Sequence, residues 1–374
     1  MPLTVGIPRE RKEGEHRVAI TPDGVHELTV HEVPVIVEHD AGVGSSISDD
    51  DFRAAGAEIA GDADDVWARA ELVLKVKEPQ PEELERLRPG LVLFTYLHLA
   101  AYPPVADALL AHSVTGVAYE TVQVASGALP LLAPMSEVAG RMAPQVGSHF
   151  LEREHGGRGV LLGGAPGVRP ARVVVLGAGN VGWNAAWIAQ GMEAEVLLLD
   201  RNLDRLRWVD QIHKGRIMTL ASTRLAVERA VAEADLVIGA VLVPGGRAPV
   251  VVTDAMVQSM RAGAVIVDCA IDQGVCVEHI HETSHAEPVY EVAGVLHYAV
   301  GNIPAAVPHT STYALTNATL PYAVALATLG VRAAVAADPE LAAGVNTAGG
   351  AIVNPAVAAA LGRECAPLAD ALPS

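Results

Sequence analysis

The sequence predicts an α/β protein with two domains, each built on a doubly wound and largely parallel β-sheet. Its 374 residues exceed the ~100–200 residues of an ordinary domain, so two domains are expected. Short apolar runs alternate with stretches of helical pattern along most of the chain, which is typical of parallel βα units. Hydrophobic residues make up 51% of the composition and charged residues 19%, which is enough apolar material for two cores.

The first domain is expected to begin with a series of βα units. Ser48 or Asp49 is suited to cap the second helix, and Pro81 suits the first turn of the third. The predicted strands are Leu3–Ile7, Val33–Val37, Leu72–Val76 and Leu91–Phe94. The predicted helices are Pro22–Leu28, Asp49–Ala57 and Pro81–Leu87.

A long helical pattern follows Pro134, with Ser136 as its expected N-cap, and a glycine-rich segment at residues 156–170 comes after it. A second βα series is then predicted, followed by Ala-rich helical stretches that include Tyr313–Leu329. These last stretches have no obvious core of their own, so we expect them to pack on the first domain. The predicted domains are residues 1–130 with 306–374, and residues 131–305. The second series comprises strands Val173–Leu176, Val196–Asp200, Leu236–Ala240 and Val265–Val267, and a helix at Val181–Gly191.

The strongest local motif is G-x-G-x-x-G at Gly177, Gly179 and Gly182, between a predicted strand and a predicted helix. These glycines allow a tight turn, close approach of a pyrophosphate and close helix–strand packing, and the helix N-terminus attracts phosphate. Asp200 ends the next strand, 23 residues beyond the first glycine, where a carboxylate binds the ribose hydroxyls. The motif predicts a Rossmann-like site for NAD rather than NADP, although the neighbouring Arg201 could receive a 2′-phosphate.

The net charge of −18 argues against nucleic-acid or anionic-membrane partners, which require a basic surface. The N-terminus lacks the apolar core of a signal peptide. Three cysteines without metal-binding spacing are typical of a reducing compartment. We therefore expect a cytoplasmic protein, and no motif for a metal ion is apparent.

Several further motifs, in the same order along the chain, closely resemble those of the bacterial alanine dehydrogenase family. That family is grouped with the nicotinamide-binding part of proton-translocating nicotinamide nucleotide transhydrogenase. The resemblance covers nearly the whole chain. Its motifs are VGIPRERKEGEHRVAITPDGV near the start, VLKVKEPQ at 73–80, FTYLHLA at 94–100, AYETVQ at 118–123, PLLAPMSEVAGRMAPQVG at 130–147, GGRGVLLGGAPGV at 156–168, ADLVIGAVLVPG at 234–245, DCAIDQG at 268–274 and TSTYALTNATLPY at 310–322.

The resemblance implies a set of functional residues. Arg17 would hold the substrate carboxylate, a task suited to a planar bidentate donor. Lys77, rather than the nearby Lys75, would polarise the keto or imino centre or hold the carboxylate beside Arg17. His98 would be the acid/base, and Asp272 a second catalytic group that balances positive charge. Residues near the cofactor, of which Asn302 would also contact the substrate, are Ser136, Gly177, Gly179, Asn180, Val181, Gly182, Asp200, Arg205, Ser222, Val241, Leu242, Ile271, Asp272 and Asn302.

The activity implied by the resemblance is NAD-dependent L-alanine dehydrogenase, which converts L-alanine reversibly to pyruvate and ammonium. Residues 131–305 would bind NAD, the other domain would bind substrate, and the chain would form a homohexamer. Val275 stands where the family often has glycine, and His309 where Lys or Arg commonly precedes TST. These departures leave open a dehydrogenase of another small amino or keto acid. A non-catalytic, transhydrogenase-like nicotinamide-binding subunit is the alternative of a different class.

Overall fold

Two β-sheets organise the chain, and each belongs to its own structural unit. The computed structural model describes residues 2–241, 249–271 and 274–372. The first unit comprises Met1–Met135 and Ala305–Ser374, and the second comprises Ser136–Pro304. The first unit is therefore assembled from both ends of the chain.

The first segment of the first unit consists of alternating strands and helices. Thr21 caps the first helix, and Ser48 forms a capping box with Asp51 at the second. The helix predicted at Pro81–Leu87 is instead a 3-10 helix at Pro81–Arg86, in which Glu83 reaches back to cap its start. The elements are β1 (Val5–Ile7), α1 (Pro22–Val30), β2 (Val35–Glu38), α2 (Asp49–Ala54), β3 (Glu58–Ala60), α3 (Ala63–Arg69), β4 (Leu72–Leu74), β5 (Val92–Thr95), α4 (Pro103–Ala111) and β6 (Thr115–Ala118).

The long helix α5 spans Ala133–Phe150 and crosses the boundary between the units. It begins before Ser136, which lies inside the helix and does not cap it as predicted. Two of its glycines allow close packing inside the second unit. A Cβ at Gly140 would lie 2.3 Å from the carbonyl oxygen of Val181, and one at Gly147 would lie 2.6 Å from Leu236.

The second unit continues with a regular βα series around an apolar core of Val, Ile, Leu and Ala side chains. Its elements are β7 (Arg172–Leu176), α6 (Asn180–Gly191), β8 (Glu195–Asp200), α7 (Leu203–His213), β9 (Met218–Ala221), α8 (Arg224–Glu233), β10 (Leu236–Gly239), α9 (Asp254–Ser259), β11 (Val265–Asp268), β12 (Val289–Val292) and β13 (Val295–Tyr298).

The C-terminal segment returns to the first unit and contains two strands that the sequence did not reveal. Its elements are α10 (Pro308–Leu329), α11 (Val331–Ala337), α12 (Pro339–Gly344), β14 (Val345–Ala348), β15 (Ala351–Ile352), α13 (Pro355–Leu361) and α14 (Leu368–Ala371). Strand β14 pairs antiparallel with β6. No helix in the described part of the chain is long and apolar enough to cross a membrane.

Both sheets reverse their strand order at one point. The first has the order β15-β14-β6-β5-β4-β1-β2-β3, and the second has the order β12-β13-β11-β10-β7-β8-β9. In each, the parallel strands follow the order 3-2-1-4-5-6 of a doubly wound sheet, in which β13 is the sixth parallel strand of the second sheet and β12 an antiparallel edge strand. Ligands are expected beyond the carboxyl ends of the strands that flank the switch. The predicted fold class is confirmed. The switch lies between β1 and β4 in the first sheet and between β7 and β10 in the second.

Candidate active site

Three loops at the carboxyl edge of the first sheet carry the predicted substrate and proton-transfer residues. Arg17 follows β1, Lys77 follows β4 and His98 follows β5. Strands β1 and β4 flank the switch point, where open α/β sheets bind ligands. The first two loops are joined by Glu10, whose carboxylate accepts the N–H groups of Val76 at 2.6 Å and Lys77 at 3.4 Å.

Arg17 is buried, with only 2% of its surface exposed. Its Nε and Nη2 donate to the two carboxylate oxygens of Glu15 at 2.7 and 2.5 Å, and its Nη1 lies 3.0 Å from the sulfur of Met135. Burial opposes the charge, but the Glu15 carboxylate outweighs it and holds the pKa of Arg17 above its usual value. The guanidinium is therefore a charged group whose orientation Glu15 fixes.

Lys75, two residues before Lys77, is held by two buried carboxylates. The Lys75 ammonium is completely buried and donates to Glu10 at 3.2 Å and to Glu83 at 2.9 Å. Burial lowers the pKa of Lys75, but these two carboxylates more than compensate. Burial also raises the pKa of Glu10 to about 6, against the opposing effect of Lys75. Lys75 is thus part of a buried ion cluster that supports the turn carrying Lys77.

Lys12 connects the three loops through its ammonium group. Its Nζ donates to Glu78, the neighbour of Lys77, at 2.7 Å and to the hydroxyl of Tyr102 at 3.1 Å. The hydrogen bonds to both partners raise the pKa of Lys12 despite its partial burial. Since Tyr102 lies in the loop that follows His98, a single side chain restrains all three segments.

His98 stands at the end of its strand in a left-handed backbone conformation, with φ +45°. Its ring stacks parallel to that of Tyr96, with the centroids 5.6 Å apart. Burial raises the pKa of Tyr96 well above its usual range, so its hydroxyl stays protonated and donates to the Leu131 carbonyl at 2.6 Å. The side chain of His98 is 28% exposed, which leaves it accessible for proton exchange.

The glycine motif of the second unit forms a turn at the second switch point. A Cβ at Gly177 would lie 2.6 Å from the Ala240 carbonyl, and one at Gly182 would lie 1.8 Å from the Gly177 carbonyl. At Gly179, however, a Cβ would meet only Nη1 of Arg205, at 4.0 Å. Packing therefore requires glycine at positions 177 and 182. Gly179 instead leaves space in the turn, beside the Arg205 guanidinium and the start of α6. This arrangement fits the pyrophosphate of a dinucleotide.

Asp200 lies at the tip of β8, next to this turn. Its Oδ2 accepts the Ala178 N–H at 2.6 Å, and its Oδ1 accepts the Asn202 N–H at 2.7 Å. Arg205 lies 3.9 Å from the same carboxylate, and the Ser222 N–H donates to the backbone carbonyl of Asp200 at 2.9 Å. The carboxylate thus stabilises the glycine turn and stands where an adenosine ribose is expected.

The other predicted cofactor residues also belong to the second unit. Asn180 and Val181 begin α6, Ser136 lies in α5, and Val241 follows β10. Ile271 follows β11, and Asn302 has a left-handed φ of +59°. The predicted residues Leu242 and Asp272 lie outside the described residues.

The two departures from the family pattern have local structural explanations. Gly274 has a positive φ of +134°, whereas Val275 is not among the described residues with positive φ. The strain that a valine would suffer there is therefore absent. The His309 Nδ1 lies 2.9 Å from the Ser45 carbonyl, and the ring contacts Tyr313, so this residue ties α10 to the N-terminal segment.

The sequence interpretation missed the carboxylates that hold the site together. Glu15 orients Arg17, Glu10 holds the turn before Lys77, and Glu120 accepts the N–H of His98 at 2.6 Å. Glu15 precedes Arg17 by two residues in the motif, which is the one local signal. The roles of Glu10 and Glu120 depend on partners 66 and 22 residues away.

Together, a dinucleotide turn in one unit and a cationic, histidine-bearing switch point in the other define a dinucleotide-dependent dehydrogenase of the two-unit α/β class. The profile of the alanine dehydrogenase/PNT N-terminal domain matches residues 6–139, and that of the C-terminal domain matches residues 143–355. The chain belongs to the alanine dehydrogenase/PNT family.

Relatives in this family match over almost the whole chain. An alanine dehydrogenase from Mycolicibacterium smegmatis is 58% identical over 95% of this chain and 96% of its own. An alanine dehydrogenase from Bacillus subtilis is 53% identical over 99% of this chain and 98% of its own. A solved L-alanine dehydrogenase superposes with a TM-score of 0.94 at 48% identity, over 96% and 99% of the two chains. A transhydrogenase structure from Sinorhizobium meliloti superposes with a TM-score of 0.81 at 26% identity, over 94% of this chain and 99% of its own.

Proposed function

We propose that this chain acts as an NAD-dependent L-alanine dehydrogenase. The reaction converts L-alanine, NAD and water to pyruvate, ammonium, NADH and a proton, and it is reversible. The observation that carries the proposal is the identity of more than 50% to alanine dehydrogenases over nearly the full length of both chains. The charged residues of the first switch point support it, because they suit a small carboxylate substrate.

Arg17 and Lys77 bind the anionic substrate in this proposal. The chain carries a net charge of −18, so an anion requires locally concentrated positive charge. Arg17 is supported as the carboxylate ligand by its charged state and its fixed orientation beside Glu15. Lys77 acts beside it at the keto or imino centre, or on the carboxylate.

His98 moves the protons. In the direction of deamination, water adds to the imine, the resulting carbinolamine loses ammonia, and the carbonyl of pyruvate forms. His98 serves as the acid/base for these proton transfers, and its position at a strand end with a partly exposed ring supports this role. Asp272 is proposed to balance the positive charge of the iminium intermediate, and Asn302 to contact substrate and cofactor.

The second unit binds NAD. When bound there, NAD would supply the acceptor for the substrate hydride. Gly177, Gly179 and Gly182 form the turn for the pyrophosphate, together with the start of α6 at Asn180 and Val181. Asp200 binds the ribose hydroxyls and repels a 2′-phosphate. Further cofactor contacts are proposed for Ser136, Arg205, Ser222, Val241, Leu242, Ile271, Asp272 and Asn302.

Two assays test the function and the choice of cofactor. Loss of NADH absorbance is followed with pyruvate and ammonium, and in parallel with glyoxylate and larger keto acids. We expect ammonium-dependent turnover of pyruvate, with NADH preferred to NADPH. Turnover of another acid but not of pyruvate would reassign the substrate, and binding of NADH without turnover of any acid would contradict a dehydrogenase function.

A homohexamer and a cytoplasmic location are proposed on the family resemblance and on the sequence, respectively. Sedimentation equilibrium tests the assembly directly. A mass six times the 38.9 kDa of one chain is expected, and a smaller assembly at micromolar concentration would contradict the hexamer.

A further inference from the structure

The backbone that carries His98 is held by a carboxylate from the neighbouring strand. Glu120 lies in the 3-10 turn Tyr119–Thr121, directly after β6. Its Oε1 accepts the His98 N–H at 2.6 Å, and its Oε2 accepts the Leu97 N–H at 3.2 Å. The same Oε1 lies 3.9 Å from Nδ1 of the His98 ring. One carboxylate therefore contacts two successive amides and also faces the imidazole.

These contacts act on a backbone conformation that residues with a β-carbon seldom adopt. His98 has φ +45°, and its carbonyl accepts the N–H groups of Ala101 at 2.8 Å and Tyr102 at 3.1 Å. Such conformations persist where their surroundings enforce them, and they cluster at functional sites. Hydrogen bonds from amides to an ionised carboxylate are stronger than those to neutral acceptors, so Glu120 stabilises this turn.

The turn that carries Glu120 is itself anchored on both sides. Tyr119 is buried and packs edge-to-face on Phe94, with the ring centroids 4.4 Å apart. The Thr121 hydroxyl donates to Oδ1 of Asn346 at 2.8 Å, and Asn346 lies within β14, which continues the first sheet beside β6. The carboxylate is thus presented to the His98 loop from a turn held by packing on one side and by a hydrogen bond on the other.

We propose that Glu120 is a positioning residue for His98. It keeps the loop in its left-handed turn and holds Nδ1 beside the carboxylate, so that Nε2 is the nitrogen that exchanges the substrate proton. A carboxylate 3.9 Å from Nδ1 favours a proton on that nitrogen, which leaves Nε2 to exchange the substrate proton. The parallel ring of Tyr96 restricts the remaining rotation. This inference rests on the proposed function, in which His98 transfers protons.

A double-mutant cycle tests this role. Glu120→Gln keeps the shape and one oxygen acceptor, and His98→Ala removes the group through which Glu120 acts. We expect Glu120→Gln to lower kcat for reductive amination of pyruvate by about tenfold, less than the ~10²-fold that an acid/base group itself contributes. The Kd for NADH should stay within twofold. In the His98→Ala background, Glu120→Gln should change kcat by less than twofold, since the two residues act as one unit.

Glu71→Gln is the matched control, because Glu71 also accepts a backbone N–H, that of Thr4 at 2.9 Å, but lies before β4. The Glu71→Gln variant should keep the wild-type kcat. An effect of Glu120→Gln that persists in the His98→Ala background would overturn the proposal, because Glu120 would then act on the fold or on another group. So would a wild-type kcat in Glu120→Gln.

Amide hydrogen exchange tests the same contact without turnover. In Glu120→Ala, the amides of Leu97 and His98 should exchange about tenfold faster, as expected for the loss of a hydrogen bond, while the amides of β5 keep their protection. Unchanged exchange at both amides would overturn the proposal. If the wild-type protein fails to reduce pyruvate, the proposed function fails separately, and this measurement still decides whether Glu120 holds the loop.

Discussion

At the scale of single residues, the site depends on which of several charged groups face the ligand and which support the fold. The sequence places Lys75 and Lys77 together, and only the family resemblance separates them. The structure gives Lys75 two buried carboxylate partners, Glu10 and Glu83. Lys75 therefore stabilises the turn before Lys77, and Lys77 itself remains the candidate substrate ligand.

Substitution of each lysine by methionine should therefore have a different effect. Lys75→Met leaves two carboxylates buried without their cation, and breaking a buried ion pair costs about 3–5 kcal/mol of unfolding free energy. Lys77→Met should raise KM for pyruvate strongly, with a much smaller loss of stability. Denaturant unfolding and steady-state kinetics on the two variants separate these effects. A stable Lys75→Met protein with a raised KM would reverse the assignment.

Glu10 should make stability depend on pH in a defined window. Its pKa rises from 4.5 to about 6 on folding, so between these values the folded state binds more protons than the unfolded chain. The unfolding free energy then falls as pH rises. The contribution of Glu10 is fully present below pH 4.5 and lost above pH 6, a change of about 2 kcal/mol.

Comparison with Glu10→Gln isolates this contribution, because glutamine does not titrate. From pH 4.5 to pH 7, the unfolding free energy of Glu10→Gln should rise relative to that of the wild type by about 2 kcal/mol. Denaturant unfolding at a series of pH values measures the difference. A constant difference across this range would contradict a raised pKa for Glu10.

At the scale of elements, prediction from sequence succeeds where structure is determined locally. The strand–glycine turn–helix unit from β7 to α6 was predicted because its glycines, its apolar strand and its helix are contiguous. Strand β14 was missed because its four residues gain their strand character from pairing with β6, more than 200 residues earlier. Glu10 and Glu120 also lie in motifs of the family, but their roles depend on partners 66 and 22 residues away, so only the fold reveals them.

The glycines of the turn between β7 and α6 should differ in the effect of substitution by alanine. In Gly182→Ala, the new Cβ would lie 1.8 Å from a backbone oxygen, and such overpacking costs about 1–3 kcal/mol of stability. In Gly179→Ala, the Cβ enters open space, so stability should be kept while the approach of pyrophosphate is blocked. NADH binding should weaken at least about tenfold, equivalent to 1.4 kcal/mol.

Gly191→Ala provides the matched control for this pair. Gly191 ends the same helix, and a Cβ there meets nothing within 4 Å, so NADH affinity should match that of the wild type. Thermal unfolding and NADH fluorescence titration suffice for all three variants. Wild-type NADH affinity in Gly179→Ala would show that the dinucleotide does not approach the turn at this residue.

At the scale of the whole molecule, the second unit is formed by one continuous segment of the chain, whereas the first is formed by two. All seven strands of the second sheet and its core lie within one continuous segment. The first unit requires both ends of the chain. The Leu3 N–H donates to the Ala327 carbonyl at 2.7 Å, and the Val18 N–H donates to the Thr312 hydroxyl at 3.1 Å. Its apolar core also combines Trp67 with residues of α13.

Fragments cut at the domain boundaries predicted from the sequence should therefore behave unequally. Residues 131–305 retain all of α5, whose Gly140 and Gly147 pack on the second unit. This fragment should unfold cooperatively and bind NADH. Residues 1–130 lack β14, β15 and α10, so they should not fold cooperatively unless residues 306–374 are supplied on the same chain through a flexible linker. Circular dichroism during thermal unfolding and NADH titration measure both properties. A cooperatively folded 1–130 fragment would show that the first unit does not need the C-terminal segment. An unfolded 131–305 fragment would show that the second unit needs the rest of the chain. Either result would contradict these boundaries.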